Sequence, residues 1–344
     1  MKIRKLNKKD TVAIITPGDN LPDKYSNQKV FIKEYLCYLG YKIVDLTNSQ
    51  NTTYKKQAQF LNRAFQDQNI KAVFPLCGGL RSIHTAKYLD YNNISKNPKI
   101  LCGYGSLSYL LNRIAFESDI VTFYGPHLNS VNPNSTKRES SYTTKNFWSM
   151  LGEEDFENPQ SQQEQDNYLA KFQKDKNITI KNIFTSSEYE KKEHDSYFFH
   201  NKFAKDSNIS GRTIVSTLHQ LEELFNDITD IKNNYILILD FFDPQSINYL
   251  KTLTNIKKSR IFAKCNGLVI TNITTHGDFN IDHYYKRTEI LQIIEDINNL
   301  FENNLNIELL SLLVKNGMDS PEKLALHYIL KDETSRVHTH NIFN

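Results

Sequence analysis

From Thr11 to Phe116 the chain alternates short β-branched runs with stretches of helical apolar period, and this alternation leaves few architectures open. TVAIIT (11–16) is an apolar run closed by Pro17-Gly18. QKVFIKEYLCYLG then carries apolar residues at helical spacing as far as Gly40, and YKIVDL follows as a second run. QAQFLNRAFQDQNI repeats the helical period, KAVFPLC reads as a third strand, SIHTAKYLDY as a third helix, PKILCGY as a fourth strand and SLSYLLNRIAF as a fourth helix. Strands separated by helices pair in parallel, because each helical crossover returns the chain to the same end of the sheet. The expectation is a parallel sheet with helices on both faces. Sites in such sheets form where strands end, which is where CGGLRS (77–82) and GYGSLS (103–108) fall.

After Trp148 the pattern breaks. EEDFENPQSQQEQDNYLAKFQKDKN is polar, charged and poor in β-branched residues, so 149–205 is expected to be an exposed connector. A second set of elements follows, with GRTIVSTLHQLEELF, SINYLKTLTNI and TEILQIIEDINNLF as helices and NNYILILD, KCNGLVITNI and IELLSLLV as strands. At 344 residues, 39% of them apolar, the chain has material for two cores. The fold class expected is therefore α/β: an N-terminal parallel-sheet sandwich domain over 1–148 and a smaller, β-rich C-terminal α/β domain over 206–344. No internal repeat is visible.

Charge and composition remove several function classes. Lys+Arg 42 against Asp+Glu 39 leaves +3, spread along the chain, so the basic stripe that nucleic acid requires is missing. No stretch approaches the roughly 20 apolar residues of a membrane span, and the run Thr11 to Ile15 is too short for a signal segment. A cytoplasmic protein without membrane partners is expected. Cys37, Cys77, Cys102 and Cys265 are scattered without a CxxC pair and read as buried free thiols. HGDFNIDH (276–283) has the composition of a metal site but no recognised ligand spacing, and His338 and His340 in the tail add none, so neither metal nor cofactor is expected. Gly78-Gly79 lacks the spacing of a phosphate-binding loop. The aromatic 12% is expected in cores and interfaces.

Taken in order, LNKKDTVAIITPGD, AQFLNRAFQDQNIKAVFPLCGGLRS, LDYNNISKNPKILCGY, FYGPHL, SSYTTKNFWSML and CNGLVI resemble the landmarks of the LD-carboxypeptidase family of serine peptidases, which includes the microcin C immunity proteins. The resemblance implies a cleft between the two domains, a homodimer, and a Ser-Glu-His triad. It implies hydrolysis of the amide beside a C-terminal residue, with a peptide, muropeptide or peptidyl-nucleotide as ligand. A triad needs a hydroxyl, an imidazole to take its proton, and a carboxylate to orient the imidazole.

Carried over residue by residue, the family's nucleophile position falls on Gly105, which has no side chain to attack with, and its neighbour on Ser106. Ser106 reads as an N-cap for SLSYLLNRI, or as a displaced nucleophile served by His127 or a C-terminal histidine. The family's glutamate falls on Asp240, one methylene shorter, which reads equally as a strand-end residue. In NGMDSP the family's histidine position falls on Met318, whose thioether takes no proton at neutral pH; His327, in LALHYIL, lacks the glycine-led context. Gly78 and Gly79 correspond to the loop whose amides help bind the oxyanion. Arg81 either pairs with a ligand carboxylate or lies in solvent. Losing the nucleophile or base of such a unit costs roughly a million-fold in rate, so the expectation is a catalytically inactive relative that still binds ligand through Gly78, Gly79, Arg81, Ser106 and His127. The alternative is an active serine carboxypeptidase or amidohydrolase using Ser106.

Overall fold

The computed structural model describes residues 3–18, 26–47, 52–128, 147, 148, 151, 152, 196–200, 212–228, 231, 234–242, 247–274, 287–301 and 308–314. Contacts gather these into two units, one containing the described residues up to Gly152 and one containing those from Ser196 to Val314.

In the first unit β1 (Thr11–Ile15), α1 (Ser26–Tyr38), β2 (Lys42–Leu46), α2 (Tyr54–Gln66), β3 (Ile70–Pro75), α3 (Ser82–Ala86), α4 (Tyr91–Lys96), β4 (Ile100–Gly103), α5 (Ser108–Ser118) and β5 (Phe123–Tyr124) follow one another. The strands form one parallel sheet in the order β2-β1-β3-β4-β5. Val12, Ala13, Ile14 and Ile15 are at most 2% exposed, as are Ala72, Val73 and Phe74. A strand that is apolar on both faces needs cover on both, which is why these runs do not alternate. Helix α2 supplies Ala58, Leu61, Ala64 and Phe65 at helical spacing, all fully buried, and its first turn is capped by Thr53, whose side chain accepts from the Lys56 amide at 3.3 Å. The order 2-1-3-4-5 reverses direction between β1 and β3, and the crevice outside the carboxyl ends of those strands is where sheets of this type hold ligands.

Two details differ from the sequence expectation. SIHTAKYLDY is not one helix but α3 and the start of α4, separated by a turn that Asn62 of α2 clamps: its side chain donates to the Tyr88 carbonyl at 3.2 Å and accepts from the Asp90 amide at 2.9 Å. Asp90 then caps α4 by accepting from the Asn93 amide at 2.9 Å. The unit also continues past Trp148, because Leu6 pairs with Gly152 and its amide donates to the Leu151 carbonyl at 2.8 Å. Trp148 anchors this closure. Its indole donates to Tyr35 Oη at 2.8 Å and stacks on Tyr41, and burial pushes the Tyr35 hydroxyl up to about 12.

The second unit contains β6 (Ser196–His200), β7 (Arg212–Thr217), α6 (Leu218–Asp227), β8 (Tyr235–Phe242), α7 (Tyr249–Lys258), β9 (Cys265–Thr274), α8 (Arg287–Phe301) and β10 (Glu308–Val314). Its sheet runs β6-β10-β9-β8-β7, parallel except for β6, which joins β10 antiparallel at the edge. Here GRTIVSTLHQLEELF, expected as a single helix, divides into β7 and α6 at Thr217. The β-branched TIVST half pairs with β8 from Arg212↔Tyr235 to Thr217↔Asp240. Strand β6 lies inside the stretch expected as connector; its SYFFH supplies the aromatic residues a strand favours. Cys102 and Cys265 are buried as expected, but Cys37 is exposed and Cys77 half-buried. No helix among the described residues is long and apolar enough to cross a membrane. HGDFNIDH, His327, His338 and His340 lie outside the described residues.

Lys99 is a buried cation, 5% exposed, whose ammonium donates to the carbonyls of Asp67 at 2.8 Å and Ile70 at 2.7 Å and so ties the turn before β3 to the start of β4. Burial pulls it down to about 8. Below that the folded protein bears a poorly solvated charge, and between about 8 and its ordinary 10.5 the unfolded chain holds more protons than the folded one, so the Lys99 contribution to stability rises with pH. Lys99→Met leaves two carbonyls without this donor and is expected to cost about 1–3 kcal/mol. Urea titrations of both proteins at pH 7.5 and pH 9.5 check this: the gap between them widens at the higher pH.

Candidate functional site

Three loops leave the carboxyl ends of β1, β3 and β4 and come together above the switch point of the first sheet. Gly18, after β1, packs against the loop after β3 so closely that a Cβ on it would lie 2.8 Å from the Gly79 carbonyl oxygen and 2.9 Å from that of Gly78. Gln57 of α2, 3% exposed, fixes the same corner by donating to the Gly18 carbonyl at 2.6 Å and accepting from Thr85 Oγ1 at 3.1 Å. Gly78 in turn faces the turn after β4, and a Cβ there would fall 2.7 Å from Ser106 Oγ and 3.4 Å from His127 Cε1. Thus Gly78, Gly79, Ser106 and His127, singled out separately in the sequence, lie together.

The turn itself has the backbone shape of a strand-to-helix elbow. Gly105 is its apex, at φ +64, followed by a 3-10 turn over Gly105–Leu107 that leads into α5. A Cβ on Gly105 would meet nothing within 4 Å. Position 105 therefore projects into open space from a left-handed backbone, as the exposed apical residue of a strand-to-helix turn must. Glycine adopts this conformation without strain, whereas another residue pays about 1–2 kcal/mol.

Ser106 does not cap the helix. The N-cap of α5 is Leu107, whose hydrocarbon side chain has nothing to cap with, and Ser106, in the intervening 3-10 turn, meets the β3 loop instead. Its hydroxyl accepts from the Gly79 amide at 2.7 Å, and its carbonyl accepts from Ser82 Oγ at 2.9 Å. Ser82 is fully buried, so Ser106 is held from both ends.

His127 stands beside this turn, 8% exposed, shortly after β5. The Tyr104 amide donates to its Nε2 at 3.3 Å. With Nε2 as acceptor, the neutral ring carries its proton on Nδ1. Burial pulls the imidazole down to about 4. The sequence reading missed Tyr124, whose hydroxyl accepts from the Gly105 amide at 3.0 Å and whose ring lies edge-on to Tyr104. Its signal was the segment FYGPHL, which resembles a family landmark and delivers both Tyr124 and His127 to the turn.

Arg81 is exposed, with its guanidinium 5.9 Å from the centre of the Tyr54 ring, against which His84 also packs at 4.9 Å. Asp240 belongs to the second unit. It is 5% exposed, next to last but one in β8, in register with Thr217 and Thr271 on either side. Met318 lies outside the described residues. Among the described residues no cluster of His, Cys, Asp and Glu could hold a metal ion.

Comparison with known proteins places this geometry in context. Residues 12–125 match the LD-carboxypeptidase N-terminal domain. The Bacillus subtilis (strain 168) protein YocD is 30% identical over 161 residues, 45% of this chain and 49% of that one. The microcin C7 self-immunity protein MccF of Escherichia coli is 35% identical over 101 residues, 28% of this chain and 29% of that one. The chain thus matches half or less of the length of these relatives. The structure of MccF in complex with glutamyl sulfamoyl guanosine superposes with a TM-score of 0.62 at 18% identity, covering 90% of this chain and 89% of that one, which is a likeness of fold.

Two measurements check the site. In long-range proton–nitrogen spectra, His127 is expected to stay in the neutral Nδ1–H form from pH 5 to pH 7; a ring titrating near 6.5 would contradict its burial. Gly105→Ser is expected to fold, with stability lower by about 1–2 kcal/mol in chemical denaturation, the cost of a side chain at positive φ rather than of a clash.

Proposed function

Because residues 12–125 belong to the LD-carboxypeptidase family as its N-terminal domain, we propose that this chain is a catalytically inactive member that binds a peptide, muropeptide or peptidyl-nucleotide at the carboxyl ends of its first sheet. The observation that carries this reading is Gly105: the elbow keeps its positive φ and its open apex, and the apex bears a hydrogen atom. A hydroxyl and a base act as a unit, and a site without the first gains little from the second. The state of His127 adds support, since its Nε2 is already engaged. On this reading Asp240 stands at the family's glutamate position and Met318 at its histidine, neither under selection for proton transfer. The ligand class draws support from MccF, a relative solved with glutamyl sulfamoyl guanosine. The proposal includes a cytoplasmic homodimer and requires no cofactor.

A second reading, hydrolysis through Ser106, has one observation in its favour: the Ser106 hydroxyl lies at the site, on the Gly79 amide, rather than at a helix cap. The two readings separate in one assay. Purified protein is expected to leave an LD-tetrapeptide and processed microcin C intact and to form no adduct with a fluorophosphonate. Turnover or labelling that disappears in Ser106→Ala would establish the second reading and end the first. Binding is checked by thermal shift with glutamyl sulfamoyl guanosine and with muropeptides, where a ligand at a hundred times its Kd stabilises by about 2.7 kcal/mol; no shift with any of them defeats the binding half of the proposal.

A further inference from the structure

The segment from Leu80 to Leu89 carries no acid and divides between a buried and an exposed face. Helical turns extend past both ends of α3: the Ser82 amide donates to the Gly79 carbonyl at 3.1 Å, and the Tyr88 amide to that of Thr85 at 3.1 Å. At about 3.6 residues per turn, positions three and four apart share a face. Ser82, Thr85, Ala86 and Leu89, at that spacing, are buried. Leu80, Ile83, His84, Lys87 and Tyr88, at the same spacing, form the outward face, with Leu80 63% exposed and Tyr88 51%. These two are among the four large apolar side chains exposed among the described residues, and they lie on one short segment. Apolar side chains exposed singly are ordinary; gathered on one face they mark an interaction surface.

The face is held from behind. Ser82 Oγ donates to the Ser106 carbonyl at 2.9 Å, Thr85 Oγ1 to Gln57 at 3.1 Å and Tyr91 Oη to the Ala86 carbonyl at 2.8 Å, while the Tyr88 carbonyl accepts from Asn62 at 3.2 Å. An ordered face loses little freedom when it binds. At its flank the Tyr54 ring has the Arg81 guanidinium 5.9 Å from its centre and the His84 ring at 4.9 Å, and the exposed Lys55 and Lys56 follow Tyr54 in the chain. The first acid after this segment, Asp90, is engaged as the cap of α4. Positive charge without acids calls for an acidic partner. A helix face turned outward is convex, whereas small molecules need a concave pocket, so the partner is a macromolecule. We propose that the outward face of α3 docks an acidic segment of a partner protein, whose carboxylates meet Arg81 and Lys87 and whose apolar side chains cover Leu80 and Tyr88. Leu80 directly follows Gly79, so the partner stands at the border of the site; the docking itself does not rest on the function proposed above.

The full chain, labelled with nitrogen-15, is titrated with a fluorescent peptide of Glu interspersed with Leu and Phe, and with a control peptide in which Lys replaces Glu. The acidic peptide is expected to bind, to shift the amide signals of Leu80, His84 and Tyr88, and to weaken as salt is added. The Lys peptide is expected not to bind. Lys87→Glu is expected to weaken the acidic peptide roughly tenfold and Tyr88→Ser roughly fivefold. Both side chains are exposed, so each variant is expected to melt at the wild-type temperature. No binding of the acidic peptide, equal binding of the two peptides, or wild-type binding by Lys87→Glu overturns the proposal. So do wild-type shifts confined to residues away from α3, a result that needs no variant to fold. Tighter binding of duplex RNA than of the peptide, or a homodimer that Leu80→Asp dissociates, overturns it as well, because the face then belongs to nucleic acid or to a second copy of this chain.

Discussion

The site exists because three loops approach one another more closely than side chains would permit. Gly18 touches the carbonyls of Gly78 and Gly79, Gly78 touches the Ser106 hydroxyl, and Gly103 touches Leu107, in each case at a distance where a Cβ would stand 2.7 to 2.9 Å from the neighbouring atom. At Gly18 the neighbours are backbone atoms, so a larger residue there would push the loops apart, whereas at Gly78 and Gly103 they are side-chain ends that would have to turn aside. The parallel sheet order brings the loops to the same end. The missing Cβ atoms let them close. These glycines are thus accounted for by packing alone, whether or not the site performs chemistry.

Within that frame the turn after β4 has its polar groups turned inward. The amides of Gly79, Tyr104 and Gly105 donate to Ser106, His127 and Tyr124. Buried donors need acceptors, and this turn satisfies them from its own side chains. His127 is hard to protonate because it is buried, where the surroundings offer a charged ring no solvation. The Ser106 carbonyl, the Ser82 hydroxyl and the Gln57 amide continue the same network into α2 and α3. The loops are therefore positioned by hydrogen bonds to elements of the first unit itself.

Much of this was legible in the residues. The β-branched runs at Thr11–Ile15 and Ile70–Pro75, and the helical period of Ala58, Leu61, Ala64 and Phe65, announce a parallel α/β sheet, because strand and helix periodicities are local properties of the chain. The family resemblance located Gly105 at the apex of the turn, and the positive φ there follows from a residue type that tolerates it. Where local signals conflicted, the sequence reading failed. TIVST was absorbed into the following helix because a short apolar run has no period of its own, and only its pairing with β8 makes it a strand. The division of α3 from α4 depends on Asn62, more than twenty residues earlier, closing on Tyr88 and Asp90.

The amino-acid sequence by itself determined the alternating elements of the first unit, the glycine at the apex of the turn and the residue types offered to the site, since each depends on backbone preference or on the side chain a position carries. Tertiary structure decided what those side chains do. Whether the Ser106 hydroxyl caps a helix or occupies the Gly79 amide, and whether His127 offers its nitrogen to a ligand or to Tyr104, is a matter of distances between loops far apart in the chain. Hydrogen bonds are short and directional, and no pattern of letters states which donor will lie within about 3 Å of which acceptor until the loops have closed.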